Sequence, residues 1–270
     1  MRKLMKTAAC AVLAAFPAGA EQIAPGAIAS LPRADVVVLG EVHDNPHHHV
    51  NQARAVAALR PVALVFEMLT PDQAARVTDD LRGDAVALGK ALGWAGSGWP
   101  DFDMYHPIFA AAPQAAVYGA ALPRDTVRRA VTEGAATVFG PEAEAWGLAA
   151  PLPAAQKAAR EANQMEAHCN ALPETLLSGL VEAQRLRDAV LARTTAQAVA
   201  ETGGPVAVIT GNGHARLDWG VPAALALGAP AVTVLSVAQF EAVPEGAQPF
   251  DLWLVTAPAE REDPCAAFAK

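Results

Sequence analysis

Two Gly-x-x-His signatures stand far apart in this chain of 270 residues, Gly40-Glu41-Val42-His43 and Gly211-Asn212-Gly213-His214, and each directly follows a β-branched apolar run. Such runs read as buried strands, so each signature delivers an imidazole to a strand end, where α/β sheets build their ligand sites. Glu41 and His43 are two positions apart, which in extended backbone places a carboxylate and an imidazole on one side. Glu67 closes the apolar run Val62-Ala63-Leu64-Val65-Phe66, where an unpartnered charge is costly, so its burial calls for a partner. Each residue alone has an ordinary reading as a solvated or capping side chain. Together Glu41, His43, Glu67 and His214 suit a divalent metal ion, or a general base with an electrostatic partner.

For these groups to meet, the strands that carry them must share a sheet. Residues 35–40 read as a strand covered on both faces and 62–67 as a second, with an Ala-rich helical stretch over 50–59 between them. That is a βαβ unit with parallel strands and adjacent exits. A strand over 206–210, a short helix after Pro222 and a strand over 231–235 make a second unit, which brings His214 into the same crevice if its first strand lies centrally. A last strand over 250–255 belongs at an edge.

Thr70-Pro71-Asp72-Gln73 opens a helix that runs to about Gly83. A short strand is expected over 115–119. Short helices broken by prolines are expected over 124–131 and much of 141–168. Leu176, Leu180, Ala183 and Val190 space out a long amphipathic helix from Pro173 to about Ala200. The expected fold is therefore α/β: a mostly parallel sheet of two βαβ units with flanking helices and a helical insertion around 124–200, forming one domain over 21–270.

Other residues could join the crevice. Asn45 and Pro46 start a helix, on which His48 and Gln52 share a face, while His47, His48 and His49 point apart, so at most two of them serve one centre. Residues 93–107 gather Trp94, Trp99, Phe102, Tyr105 and His106 among glycine and proline, which reads as an aromatic loop suited to a flat apolar ligand or a partner surface. A tyrosine oxygen can ligate ferric haem. The competing reading is a satellite core beneath the loop, favoured for the tryptophans and level for Tyr105. Gln184 and Asp188, with Arg187 beside them, can reach the crevice from the long helix, although surface solvation is their default.

Arg2, Lys3 and Lys6 precede an apolar stretch to Phe16 and then Ala18-Gly19-Ala20, so residues 1–20 read as a secretory signal peptide. The stretch is short for a bilayer span, and Cys10 precedes most of it, unlike a lipid-modified cysteine, so a periplasmic or otherwise exported protein without a lipid anchor is expected. The formal net charge is −8, and loss of the leader makes the remainder more acidic, which argues against nucleic acid and anionic membranes as partners. In an oxidising compartment Cys169 and Cys265 either pair, stapling the tail, or stay as buried thiols. There is no Gly-x-Ser-x-Gly elbow, Walker loop, dinucleotide fingerprint or Cys-x-x-Cys, so serine hydrolase, NTPase and thioredoxin readings fall away.

Gly40-Glu41-Val42-His43-Asp44, Asn45-Pro46-x-His48-His49-x-x-Gln52, Phe66-Glu67-Met68 and Gly211-Asn212-Gly213-His214-Ala215-Arg216 together resemble the ChaN haem-binding proteins. The likeness continues through Trp94, Trp99-Pro100, Tyr105-x-Pro107, Leu122-Pro123-Arg124, His168-Cys169, Ala183-Gln184, Arg187-Asp188 and Pro264-Cys265, covering nearly all of the chain after the leader. It implies an exported protein of haem or iron uptake that binds haem with Tyr105, His43, His48 and His214 as candidate contacts, pairs as a homodimer around cofacial haems, and serves an outer-membrane haem uptake system. Members are often lipoproteins, from which this chain departs. The wider superfamily is similar to Tiki metalloproteases, TraB proteins and erythromycin esterases, and Glu41, His43, Glu67 and His214 match its pattern. That likeness implies the alternative of a metal-dependent hydrolase acting as a peptidase or esterase through those four residues.

Overall fold

Strands whose every side chain is apolar need cover on both faces, and the computed structural model, which describes residues 19–263 with Cys265 and Ala266, supplies it. All but the last two residues of the expected signal peptide lie outside the described residues. In chain order the elements are β1 (Glu21–Gln22), β2 (Val36–Glu41), α1 (Pro46–Leu59), β3 (Ala63–Phe66), α2 (Pro71–Ala74), α3 (Ala85–Leu92), α4 (Phe102–Ala111), β4 (Ala116–Gly119), α5 (Arg124–Glu133), α6 (Ala135–Phe139), α7 (Ala154–Ala167), α8 (Glu174–Thr202), β5 (Val206–Gly211), α9 (Asn212–Ala215), α10 (Val221–Gly228), β6 (Val234–Phe240) and β7 (Leu252–Val255). The seven strands form one parallel sheet in the order β1-β7-β6-β2-β5-β3-β4.

The period of two along each strand divides the interior into two cores. Val37, Leu39, Leu64, Phe66, Ala207 and Ile209 face α1 and α4, where Phe66 stacks on Phe109 with ring centroids 4.4 Å apart. Val36, Val38, Ala63, Val65, Val206 and Val208 face α8 and α10. Cutting Phe66 back to alanine would cost about 3–5 kcal/mol, as is usual for a buried aromatic.

The expected architecture holds, with local corrections. The strand expected over 231–235 starts at Val234 and runs to Phe240, because residues 231–233 turn before entering the sheet. β7 is not the edge; the two-residue β1 pairs outside it. The helix expected from Thr70 to about Gly83 stops after one turn at Ala74, although its start is as read, with Thr70 and Gln73 capping each other reciprocally. The 93–107 loop is the largest difference. Phe102, Tyr105 and Phe109 recur at offsets of three and four, and this spacing wins over the loop-like glycines and prolines: α4 carries Tyr105 and His106, with Pro107 inside the helix. Cys169 and Cys265 are joined in a disulfide that ties the tail to the turn before α8.

The order of strands also corrects how the site is put together. β2 and β3 are not neighbours, because β5 lies between them and pairs with both, Val36 with Val206 and Ala63 with the same residue. The exits of β2, β5 and β3 are nevertheless contiguous, and β5 holds the central place that His214 required.

Candidate functional site

At the carboxyl end of β2 the chain turns sharply, and the turn is fixed from α1. Asn45 caps that helix by accepting from the His47 and His48 amides, and donates to the Glu241 side chain and the Ala257 carbonyl. Such a cap stabilises a helix by about 1 kcal/mol. His48 accepts the Val42 amide on Nδ1 at 2.9 Å, and Gln52 donates to the Leu39 carbonyl at 2.9 Å. The face shared by His48 and Gln52 thus holds the backbone of the strand exit. His48, one of the expected cofactor contacts, is wholly buried, and burial drives its pKa down to about 4, so it stands neutral and holds the Val42 amide on Nδ1. His47 is exposed, whereas His49 is buried, donating from Nε2 to the His43 carbonyl at 2.7 Å with Nδ1 3.3 Å from Glu41 Oε2.

Glu41 lies behind His43. Its Oε1 takes His43 Nδ1 at 2.8 Å and the Tyr105 hydroxyl at 3.0 Å. Burial alone would raise the Glu41 pKa, but the hydrogen bonds and charges of His43 and His49 outweigh it and hold the carboxyl below its usual range. Tyr105 is fully buried on α4, tilted against His49 and Trp94. Burial first, and then the Glu41 charge, push its phenol pKa far up. Tyr105 therefore stands behind the site as a neutral donor to Glu41, carried there by helix α4 rather than by the loop expected over 93–107.

His214 has the same arrangement from the other side. It sits on α9, the turn that follows β5, and Nδ1 bonds Asp188 Oδ1 at 2.6 Å from α8 while Nε2 faces Glu67 Oε1 at 3.4 Å and the Gln184 amide at 3.1 Å. Burial opposes its charge, yet a place between Glu67 and Asp188 raises its pKa to about 10. Burial outweighs His214 and Arg160 at Asp188, whose carboxyl is raised. With Glu67 pulling from the far side as well, the proton belongs on the imidazole. Burial also disfavours Glu67 as an anion, but the charges of His214 and His43 and the Gly211 amide keep it ionised far below the usual range. Glu67 Oε2 accepts from Thr210 and from Gly211 N. His43 Nε2 lies 4.0 Å from Glu67 Oε1, and its side chain is 35% exposed, the most accessible group of the cluster. Burial lowers its pKa, but the Glu41 hydrogen bond and the Glu67 charge raise it above the ordinary value.

The four residues read from the sequence thus meet, in a more ordered form than a cage. Two imidazoles are each anchored at Nδ1 by a carboxylate, Glu41 or Asp188, and turn Nε2 towards the shared Glu67. This is the oriented-histidine arrangement that fixes the tautomer of ligating imidazoles. Among the described residues no three His, Cys, Asp or Glu side chains enclose a metal position. Glu41 is directed at His43 and Tyr105, so the expectation of all four as ligands of one metal ion is not matched by their geometry.

The glycines of the signatures interlock. A Cβ on Gly40 would come 2.5 Å from Asn212 Oδ1 of the second signature, and one on Gly211 would come 2.9 Å from His43 Nε2 of the first. Asn212 uses the space to pair with the Gln239 backbone in both directions.

Asp188, for which surface solvation is the default expectation, is buried against His214. The signal that identifies it is the one that worked for Glu67: an acid in the run Leu186-Arg187-Asp188-Ala189-Val190-Leu191, where the helix is otherwise buried. Beside His214 and Glu67 opens a cleft of about 420 Å³ walled by Met68, Trp99, Leu122, Pro123 and Leu191. Trp99 also packs edge-on against His43 with centroids 4.8 Å apart, so His43 lies just beyond this wall.

A family model described as "Haem-binding uptake, Tiki superfamily, ChaN" matches residues 27–225. A solved structure described as "Cofacial heme binding to ChaN of Campylobacter jejuni" superposes with a TM-score of 0.63 at 19% identity, covering 84% of this chain and 89% of that one. The type III effector HopBA1 superposes with a TM-score of 0.43 at 12% identity, over 87% of this chain and 92% of the other. No curated protein matches the sequence.

Proposed function

Because the chain belongs to the ChaN family of haem-binding uptake proteins in the Tiki superfamily, we propose that it binds haem as cargo in the cleft at the ends of β2, β5 and β3. The observation that carries this reading is a cleft walled in part by Met68, Trp99, Leu122, Pro123 and Leu191, with His214 in its lining and His43 behind Trp99, each imidazole held at Nδ1 by a carboxylate. Ligand pockets combine apolar walls with a few fixed polar groups, as this one does. His43 is the iron ligand in this reading: it is the most accessible imidazole of the cluster, Glu41 fixes its orientation, and haem would reach it at the cleft margin where Trp99 packs against it. His214 supports from the cleft floor, and Tyr105 orients Glu41 from behind.

The wider role follows the same reading. The protein is exported after removal of residues 1–20, works in the periplasm or beyond, and receives or hands on haem within an outer-membrane uptake system. The Cys169–Cys265 disulfide supports an oxidising compartment. A homodimer that closes two clefts over a cofacial pair of haems is the assembly proposed. Its support is the adjoining hollow of about 700 Å³, lined by Val86, Trp94, Trp99 and Phe102, which extends the apolar surface beyond the cleft.

Titration of the purified protein with hemin tests this. A saturable Soret change is expected, abolished or shifted by His43→Ala and retained in Tyr105→Phe, with a rise in sedimentation coefficient on loading. Absence of any saturable Soret change in the wild type overturns the reading.

A further inference from the structure

Arginine is the residue that reads planar carboxylates, through a fork of parallel N–H donors. In this acidic protein the described arginines Arg82, Arg129, Arg185, Arg216 and Arg261 are each held by carbonyls or carboxylates. Among the described residues Arg124 and Arg187 lack such a partner, as do the exposed Arg33, Arg54 and Arg60, but of these five only Arg124 and Arg187 line the cleft. Both border the cleft, both are exposed, and among the described residues neither guanidinium has a carboxylate or carbonyl partner. They come from different elements, Arg124 from the first position of α5 and Arg187 from α8, and converge on one opening.

The remaining surroundings point the same way. Met68, Trp99, Leu122, Pro123 and Leu191 give the cleft an apolar stretch of wall, and the anion on its floor, Glu67, is already engaged by His214, Thr210 and the Gly211 amide. Arg187 sits one position before Asp188 and four before Leu191 on α8, so the helix that anchors His214 also offers a cation to whatever lies against Leu191.

Two unpaired guanidiniums at the rim of an apolar slot form a receptor for a flat apolar body that carries carboxylates on one edge. We infer that Arg124 and Arg187 bind the carboxylate edge of the porphyrin and so orient it in the cleft, which makes the recognised ligand class a planar dicarboxylate. This inference rests on the haem-binding reading above and adds to it the side of the ligand that faces the helices α5 and α8. The two arginines are positioning and specificity residues; the iron ligand is a separate matter.

The test compares hemin with iron protoporphyrin IX dimethyl ester, in which both propionates are esterified, on the wild-type protein and on Arg124→Ala with Arg187→Ala, by Soret titration. Wild type is expected to bind the ester roughly tenfold or more weakly than hemin, since charge-assisted hydrogen bonds at a partly exposed rim are worth about that much in sum. The double variant is expected to lose a similar factor for hemin, to bind the ester as wild type does, and to keep the position of the bound Soret band. Circular dichroism checks that it is folded, and Arg187→Lys is expected to recover only part of the loss. Equal affinities of wild type for hemin and ester, or unchanged hemin affinity in the double variant, overturn the inference while leaving haem binding in place. If neither porphyrin binds to wild type, the haem reading itself falls.

Discussion

Replacing Asp188 with asparagine probes the electrostatics on which the site depends. His214 is buried with Nδ1 2.6 Å from Asp188 and Nε2 3.4 Å from Glu67, and against the opposing effect of burial these two carboxylates lift its pKa from 6.5 to about 10. An opposite charge in contact shifts a pKa by roughly 1–3 units. Asparagine keeps an oxygen to accept from Nδ1 and removes the charge, so His214 should titrate roughly 1–3 units lower. That corresponds to about 1.4–4 kcal/mol of lost stabilisation of the imidazolium. A histidine whose pKa is raised by folding adds stability that is fully present below its unfolded value and is lost as pH rises through the folded value. The wild-type window is therefore from 6.5 to about 10. The variant is expected to be less stable than wild type at pH 6, with the gap narrowing as pH rises towards the upper limit. Carbon-detected NMR titration of the imidazole Cε1–H signals measures the pKa directly, and urea unfolding at two pH values measures the stability. A His214 pKa that moves by less than about half a unit would refute the claim that Asp188 holds the proton there.

Further expectations follow from other contacts. His48 is buried and neutral, so its contribution to stability is present above pH 6.5 and is lost as pH falls towards its folded value of about 4; His48→Asn, which keeps an acceptor for the Val42 amide, should flatten the pH dependence of urea unfolding in that window by about 3 kcal/mol. Gly40→Ala places a Cβ against Asn212 and 3.0 Å from the Val237 carbonyl, and should cost about 1–3 kcal/mol by chemical denaturation. Gly211→Ala crowds the His43 ring and meets Glu67 Oε2 at ordinary contact distance, 3.8 Å; the ring, on a side chain 35% exposed, gives way, so stability should change little while hemin affinity falls about tenfold, or ~1.4 kcal/mol, by Soret titration. Cys169→Ser with Cys265→Ser opens a link spanning 96 positions and should cost about 2–4 kcal/mol, read as a lower Tm that no longer responds to reductant.

How far the sequence reveals this molecule depends on whether the deciding interaction is local. The strands that carry Glu41, Glu67 and His214 are legible because continuous β-branched runs admit few other readings, and α8 is legible from its spacing. Asn45 and Thr70 announce helix starts through short-range hydrogen bonds that need no tertiary context. The helix that carries Tyr105 is not legible because the glycines and prolines of 93–100 lie next to its repeat, and a window spanning both reads as loop. The partner of Asp188 is not legible, since nothing in α8 alone says that a histidine from α9 will cover it. Strand order is the least local property of all: the adjacency of β2 and β3 was the simplest inference from a βαβ unit, and only a partner arriving from residue 206 onwards overrides it.

That late partner has a consequence for assembly in time. β5 supplies the middle of the sheet but is synthesised after every residue of β2, β3 and β4, so a growing chain has two separated edges and no crevice until it extends past Gly211. Pairing across such a sequence distance is slow relative to local helix formation. During that interval the edges of β2 and β3 that will receive β5 are bare. A chain that ends before residue 206 therefore lacks half of the imidazoles and also leaves open the surface most prone to pairing with another molecule.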